Sequence, residues 1–491
     1  MSKPAKPLNA SSVPELTDSE STEPIEPAQS AGPDRSDKHD DSTTDLTVGS
    51  PLLRILIFSI PLVLGTLFQQ MYSFADAVIV GRLIGDDALG AVGVTYPLNF
   101  LILGFVQGAC IGFSIPAAQS FGAKDERDFR RFMWNGAWLG VILSVVFTAA
   151  MVLLARPMLE LIGTPAELLD MAVEYIVVIF LGIPTAILYN HSAALLRAVG
   201  DSKHPFYFLL VACVVNIVLN YTFIGVIGMG VIGSALATVI GQTLSAVLNC
   251  WWAFAKIDIF QVHRDEMGWS GHHIGRLCYV GLPMGFEYSV SAIGAVVMQD
   301  AINSLGAAMV TAQTAGERIR QMFTLPMESV GMAMATYAGQ NYGARRLDRI
   351  KLGLRDGVII QGVYCVIVWV VIFLFKAPMC RFVLGDTSAA VFDGAVEYLF
   401  IMSCFFIIHG SLMIFRNTLQ GMGYSTHAIV SGVGELIGRS LGGWITIIGG
   451  GYLAVCYSNP LAWGLALLYC MVMVTVIIRR KHRDPEFAAI A

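Results

Sequence analysis

The sequence predicts an all-α integral membrane protein: twelve transmembrane helices in two pseudo-symmetric six-helix bundles, with both termini in the cytoplasm. Three observations carry this expectation. Hydrophobic residues make up 55% of the chain and charged residues only 14%, against about 25% charged in an ordinary soluble domain. That much apolar side chain cannot be hidden inside a globule of 491 residues, which excludes a soluble multidomain enzyme. Long apolar runs recur twelve times along the chain, and the two halves repeat each other at a nearly constant offset.

Residues 1–50 hold ten acidic and four basic residues, six prolines and no aromatic residue. Such a segment cannot bury enough apolar area to offset its chain entropy, so it reads as a disordered, acidic cytoplasmic tail. No basic stretch leads directly into an apolar run there, so it is not a cleavable signal. The remaining chain balances 26 acids with 27 bases, and nothing in it suggests a nucleic-acid-binding surface.

From Pro51 onward, runs long enough to cross a bilayer, about 20 helical residues each, fall at 55–81, 89–118, 132–155, 169–196, 205–227 and 230–256. Six more fall at 276–304, 308–339, 351–376, 394–421, 427–449 and 452–478. The second and eighth are overlong, and Pro97, Pro116 and Pro326 are expected to kink them. An N-terminal bundle over 51–260, a C-terminal bundle over 261–480 and a cytoplasmic tail over 481–491 follow. The connections after even-numbered spans are basic: Lys124, Arg127, Arg130 and Arg131 follow the second, and Arg345, Arg346, Arg349, Lys351 and Arg355 the eighth. Odd-numbered connections are poor in base, which puts both termini inside.

Three motif pairs carry the repeat. Ser59-Ile60-Pro61-Leu62 matches Gly281-Leu282-Pro283-Met284, and Gln119 through Lys124 matches Gln340 through Arg345. Leu196-Arg197-Ala198-Val199-Gly200 matches Leu419 through Gly423, giving offsets of 222, 221 and 223. A repeat unit with an even number of spans gives both bundles one orientation, a transporter plan with the pathway between halves. The nine cysteines are odd in number and show no CxxC spacing; they read as small apolar residues rather than as disulfides or a metal site. No HExxH, GxSxG, P-loop or His-rich motif occurs, so neither an enzyme nor direct ATP drive is expected.

These motifs together resemble the multidrug and toxic compound extrusion (MATE) family. The resemblance covers residues 51 to about 480 and includes Pro61 through Asp76-Ala77-Val78-Ile79-Val80-Gly81-Arg82, the Gln119–Ala123 turn and its repeat at Gln340–Ala344. It implies cation-coupled export of drug-like organic compounds, often cationic, by alternating access in a prokaryotic cell membrane. No cofactor beyond the coupling ion, Na⁺ or H⁺, is implied, nor any partner beyond small-molecule substrates and the bilayer; a monomer is expected. The rival within the same superfamily is a flippase or exporter of lipid-linked or other metabolites. That rival needs a basic cavity, and the spans offer few Lys or Arg.

Ionisable groups inside spans are costly and therefore functional candidates. Asp76 lies 22 residues beyond Arg54, about 33 Å along a helix. It reads either as an outer-end carboxylate paired with Arg82 or as an ion site. Asn216 and Asn220 share a helix face; their amide oxygens suit a hard cation or a protonated carboxyl group, or simply join helices. Thr238 could add a hydroxyl. The resemblance joins all four: its N-lobe cation site uses an aspartate fifteen residues after the first-span proline, an N-x-x-x-N pair followed by Tyr, and a sixth-span Thr. Asp76 would then carry the coupling charge, with Asn216, Asn220 and Thr238 completing the cation-coupling site; if the ion is Na⁺, Asp76, Asn216 and Asn220 would be its ligands. The repeat offers Met298 opposite Asp76, Glu435 and Arg439 near the asparagines, and Pro460 near Thr238, so such a site would belong to the first half alone.

In the second half, Glu287 stands four residues after Pro283. Many relatives carry a functional Glu eight residues after that proline, where this chain has Ser291, and some carry an Asp in span ten where it has His409. Glu287 and His409 are therefore candidates for binding cationic substrate or for pairing with each other. Glu435 and Arg439, spaced i, i+4, are expected to form an intramembrane ion pair, structural or gating. Glu328 and its repeat partner Gln107 are candidate cleft residues, and Tyr72, Tyr189, Phe286 and Tyr288 could line a pocket for flat cations.

Overall fold

The computed structural model describes residues 44–261 and 263–488. Among them all regular structure is helical. The tail expected over 1–50 lies outside the described residues up to position 43. Residues 44–50 depart from that expectation: they are ordered, and Leu46 is fully buried. One leucine inserted between helix ends, with its backbone polar groups bonded, supplies what composition alone did not suggest.

The first half contains α1 (Pro51–Leu83), α2 (Asp86–Gly122), α3 (Glu126–Leu161), α4 (Ala166–Leu181), α5 (Ile183–Ala198), α6 (Lys203–Asn220) and α7 (Gly230–Lys256). The second contains α8 (Gly271–Asn303), α9 (Ala307–Gly343), α10 (Leu347–Leu384), α11 (Ala389–Cys404), α12 (Phe406–Gly421), α13 (Thr426–Ile445) and α14 (Gly451–Lys481). Seven helices among the described residues are long and apolar enough to cross a membrane, or nine if α4–α5 and α11–α12 each count as one bent span. One of the seven, Thr426–Lys481, is α13 and α14 run together across Gly449, whose φ of 117° no helix adopts. The remaining two spans are α8 and α9, helices of 33 and 37 residues. Twelve crossings result.

α2 and α9 run on through Pro97, Pro116 and Pro326. Breaks between helices fall in the fourth and tenth spans, bent by 46° and 49°. Pro184 explains the first: it has no N–H to give to Phe180, so the α4 ladder stops at Gly182. The second falls at Phe405 without a proline, 223 residues later, the offset of the repeat. Other irregularities recur at the same spacing. Lys124 and Arg345 both have left-handed backbones, with φ of 61° and 59°. A π-helical turn follows α6 at Tyr221–Val226 and another follows α13 at Thr446–Gly450.

The two halves meet along α2 and α8, where Gly108 and Gly112 oppose Met284, Tyr288 and Gly281. Further out, α2 packs on α4 through Gly90 and Leu168, and α8 on α13 through Gly443 and Ala301. The helices thus part company toward the outer side and stay joined at the basic, cytoplasmic side. There, Gly122 and Gly343 sit so close to the opposite half that a β-carbon would stand 1.9 Å from the Gln340 carbonyl oxygen and 1.8 Å from that of Gln119. Only glycine permits this approach.

Candidate ion and substrate site

The first-half site is assembled from three helices. α1 brings Asp76, the last turn of α6 brings Asn216 and Asn220, and α7 brings Ser234 and Thr238. Asn220 Nδ2 donates to Asp76 Oδ1 at 2.7 Å and to Asn216 Oδ1 at 3.1 Å. Ser234 Oγ donates to both Asp76 oxygens, at 3.0 and 3.2 Å. Thr238 stands one step removed: its Oγ1 accepts from Asn216 Nδ2 at 3.4 Å. Asp76 is 9% exposed, Asn216 2% and Asn220 and Ser234 0%. Arg82 does not pair with Asp76, whose side-chain hydrogen bonds come from neutral groups only.

A buried carboxylate held only by neutral donors is an uncompensated charge in a medium that penalises it. A proton or a small cation removes that penalty. The geometry fits a cation: Asn220 Oδ1 is buried with no hydrogen-bond partner, leaving an acceptor oxygen beside Asp76. The side-chain groups bonded to Asp76 and Asn216 are amides and hydroxyls, whose oxygens suit a hard monovalent ion. Next to this cluster, Tyr72, Tyr189, Gln69, Gln242, Asn216 and Thr238 line a cavity of ≈ 30 Å³, large enough for water but not for a drug-sized molecule.

The second half solves its charge problem internally. Arg416, on α12, lies between Glu287 Oε1 at 2.9 Å and Glu435 Oε1 at 2.8 Å. Gln420 Nε2 donates to the other Glu287 oxygen at 2.6 Å. Arg439 reaches Glu435 at 3.2 Å and Asn459 Oδ1 at 3.1 Å. A second pair, Arg320 with Glu317, is joined by the Tyr398 hydroxyl at 2.6 Å from Glu317 Oε2. Two glutamates and two arginines cancel in the first cluster, and one of each in the second.

The anticipated Glu435–Arg439 pair is present, but as one arm of this larger network. Glu287 and His409 do not pair with each other: Glu287 is held by Arg416 and Gln420, while His409 packs against the Trp463 ring at 4.6 Å, its two nitrogens without a partner. The reason is that an arginine on the same helix as His409 reaches both carboxylates and outcompetes a neutral imidazole. Glu328 is exposed on its helix face, and Gln107, Tyr72, Tyr189 and Tyr288 are half-buried. Phe286 is exposed, with its ring edge toward Phe105.

Ser234, Arg416, Gln420, Glu317, Arg320 and Tyr398 were not singled out from sequence. Two of them left a signal. Ser234 precedes Thr238 by one helical turn on the same face. Arg416 is a lone base within an apolar run, and a base there requires carboxylates.

Twelve spans, a repeat, a seam between the two halves and a buried, uncompensated carboxylate define a membrane transporter rather than an enzyme. The MatE family model matches residues 61–222 and 283–439, and the chain belongs to that family. Among similar curated proteins, "Probable multidrug resistance protein YpnP" of Bacillus subtilis is 28% identical, covering 79% of this chain and 86% of that protein. "FAD transporter" of Shewanella oneidensis is 22% identical, covering 89% and 98%. A solved structure described as the outward-facing conformation of a multidrug resistance MATE family transporter superposes with a TM-score of 0.84 at 22% identity, covering 90% of this chain and 99% of that one. At that identity the likeness concerns the fold.

Proposed function

We propose that this chain is a multidrug antiporter of a prokaryotic cytoplasmic membrane, acting as a monomer that exports organic compounds in exchange for inward Na⁺ or H⁺. The carrying observation is the asymmetry of buried charge. Asp76 has no counter-charge, whereas Glu287 and Glu435 are neutralised by Arg416 and Arg439. The first half thus offers a buried place for an external positive charge, while the buried Glu287 and Glu435 of the second half already have their counter-charges.

In the outward-open state the ion or proton joins Asp76, with Asn220, Asn216 and Ser234 as its neighbours. It rearranges the α1–α6–α7 contacts around the Tyr72 cavity and lowers affinity for the exported compound. Return to the inward-open state releases the ion into the cytoplasm. The ion must bind the two states differently, or it drives nothing. One charge moving inward gains about 2.3 kcal/mol per 100 mV, roughly 1.7 decades of accumulation. Exchange for one monovalent cationic drug cancels that gain.

A second reading keeps the antiport and changes the cargo to an anionic metabolite. It is favoured by the FAD transporter relative and by Arg197, half-buried in the last turn of α5. The ionisable groups near Arg197 are Tyr189, Cys110 and, across the interface, Tyr288, with no carboxylate among them. Arg320, Arg416 and Arg439 of the second half are spent on glutamates and do not serve this reading.

Efflux of a fluorescent organic cation from cells, with imposed Na⁺ or H⁺ gradients, tests the first reading. Wild type should export and Asp76→Asn should not, at matched membrane levels, and the effective gradient names the ion. Equal export by the variant would refute the role of Asp76. Export of a flavin dinucleotide but of no organic cation would favour the second reading.

A further inference from the structure

We propose that residues 44–49 are a latch that holds the cytoplasmic ends of the two halves together and must let go before the cleft opens inward. This segment precedes α1 and lies on the seam. Its N-terminal end rests on the first half: Asp45 Oδ2 pairs with Lys124 Nζ at 3.0 Å, and Thr44 lies so close to Gly200 that a β-carbon there would come within 2.0 Å of the Thr44 carbonyl oxygen. Its middle and end are gripped by the second half. Leu46 N donates to Gln340 Oε1 at 2.9 Å, and Leu46 O accepts from Asn341 Nδ2 and Arg349 Nη2, each at 3.2 Å. Arg349 Nη1 donates to Gly49 O at 2.9 Å.

The gripping residues are themselves dedicated to this task. Gln340 and Asn341 are 0% exposed and Arg349 8%. Gln340 Nε2 also crosses to Ala198 O at 2.9 Å, so one side chain ties the latch to both halves. Asn341 Oδ1 orients the guanidinium by accepting from Arg349 Nε at 2.9 Å. The Leu46 side chain joins the apolar core of the second half, with Ile55 and Phe58 of α1 beside it. An inward-open cleft separates α9 from α2 and α5, which breaks the Gln340–Ala198 bond and leaves the segment unable to keep its contacts with Lys124 and Gly200 together with those to Gln340, Asn341 and Arg349. Asp45 fixes the latch's own shape by accepting from Thr47 N at 2.8 Å. A segment that carries its own turn and docks by one leucine and four hydrogen bonds can release and return as a unit.

The inference rests on the alternating-access reading, so the test separates the two. Hydrogen–deuterium exchange is followed on the full-length protein in lipid nanodiscs, through peptides covering 115–124 of α2 and 336–346 of α9. The α2 peptide is shielded by the Gly122–Gln340 approach rather than by Leu46, so its exchange reports separation of the halves and not local fraying. Leu46→Asp should accelerate exchange in both peptides by at least about tenfold, leaving the outer ends of α3 and α4 unchanged. Asp45→Asn leaves the buried leucine in place and should accelerate both by about twofold; it decides the matter if Leu46→Asp does not assemble. Wild-type exchange unaltered by the variants overturns the latch and leaves alternating access standing. Seam peptides that never exchange in any form overturn both.

Discussion

Removing Arg416 should expose how the second half tolerates its glutamates. Arg416→Met deletes two charge-assisted bonds, at 2.9 Å to Glu287 and 2.8 Å to Glu435. Hydrogen bonds to charged groups contribute about 1.5–3 kcal/mol each, which sums to about 3–6 kcal/mol. Breaking a buried ion pair from one side costs about 3–5 kcal/mol by an independent route, because the partner charge is stranded. Arg416→Met should therefore be destabilised by roughly 4 kcal/mol. Adding Glu287→Gln restores neutrality, since Glu435 keeps Arg439, and Gln420 remains beside position 287. The double variant should regain more than half of the loss. Reversible unfolding in mixed micelles, titrated with a denaturing detergent, measures both and yields the coupling between the two positions. A single variant within about 1 kcal/mol of wild type, or a double variant no better than the single, would refute internal neutralisation.

Two further consequences are as direct. Gly122→Ala places a methyl group where the Gln340 carbonyl oxygen stands 1.9 Å away, so the seam cannot close; transport should fall at least about tenfold at normal expression, while Gly93→Ala, with nothing within 4 Å, should transport normally. In the loop before α8, the hydrogen bond from Arg130 holds the Glu266 carboxyl below the ordinary carboxylate range. A carboxyl whose folded value is depressed stabilises the fold above its unfolded value, about 4.3, and loses that contribution as pH falls through the folded value. Glu266→Gln should thus cost roughly 1 kcal/mol at pH 7, and the difference from wild type should begin to shrink as pH falls below about 4.3 and continue to shrink down through the folded value; a difference that stayed constant on acidification would contradict the ionic origin.

The architecture was legible because lipid imposes it: apolar length gives the spans, basic loops the sidedness, and recurring motifs the two halves. Asp76, Asn216 and Asn220 could be read because polar residues in apolar runs stand out, and the structure brings them within hydrogen-bond distance of one another. Ser234 left only its one-turn spacing to Thr238 as a signal, because a lone serine in a span ordinarily bonds its own backbone. Arg416 escaped because its meaning depends on α8 and α13 converging on α12, and no local pattern encodes that. Residues 44–50 were read as part of the tail; composition averages over a window, while docking of Leu46 depends on Gln340, Asn341 and Arg349, about 300 residues away in sequence.

The claim that Asp76 couples ion to cargo is tested most directly by equilibrium binding of a fluorescent organic cation to purified protein over a range of Na⁺ and H⁺ concentrations. In the wild type, raising the coupling ion should weaken cargo binding. In Asp76→Asn the cargo should still bind, with an affinity that no longer responds to either ion. A variant whose cargo affinity falls with the ion as steeply as the wild type's would contradict the account.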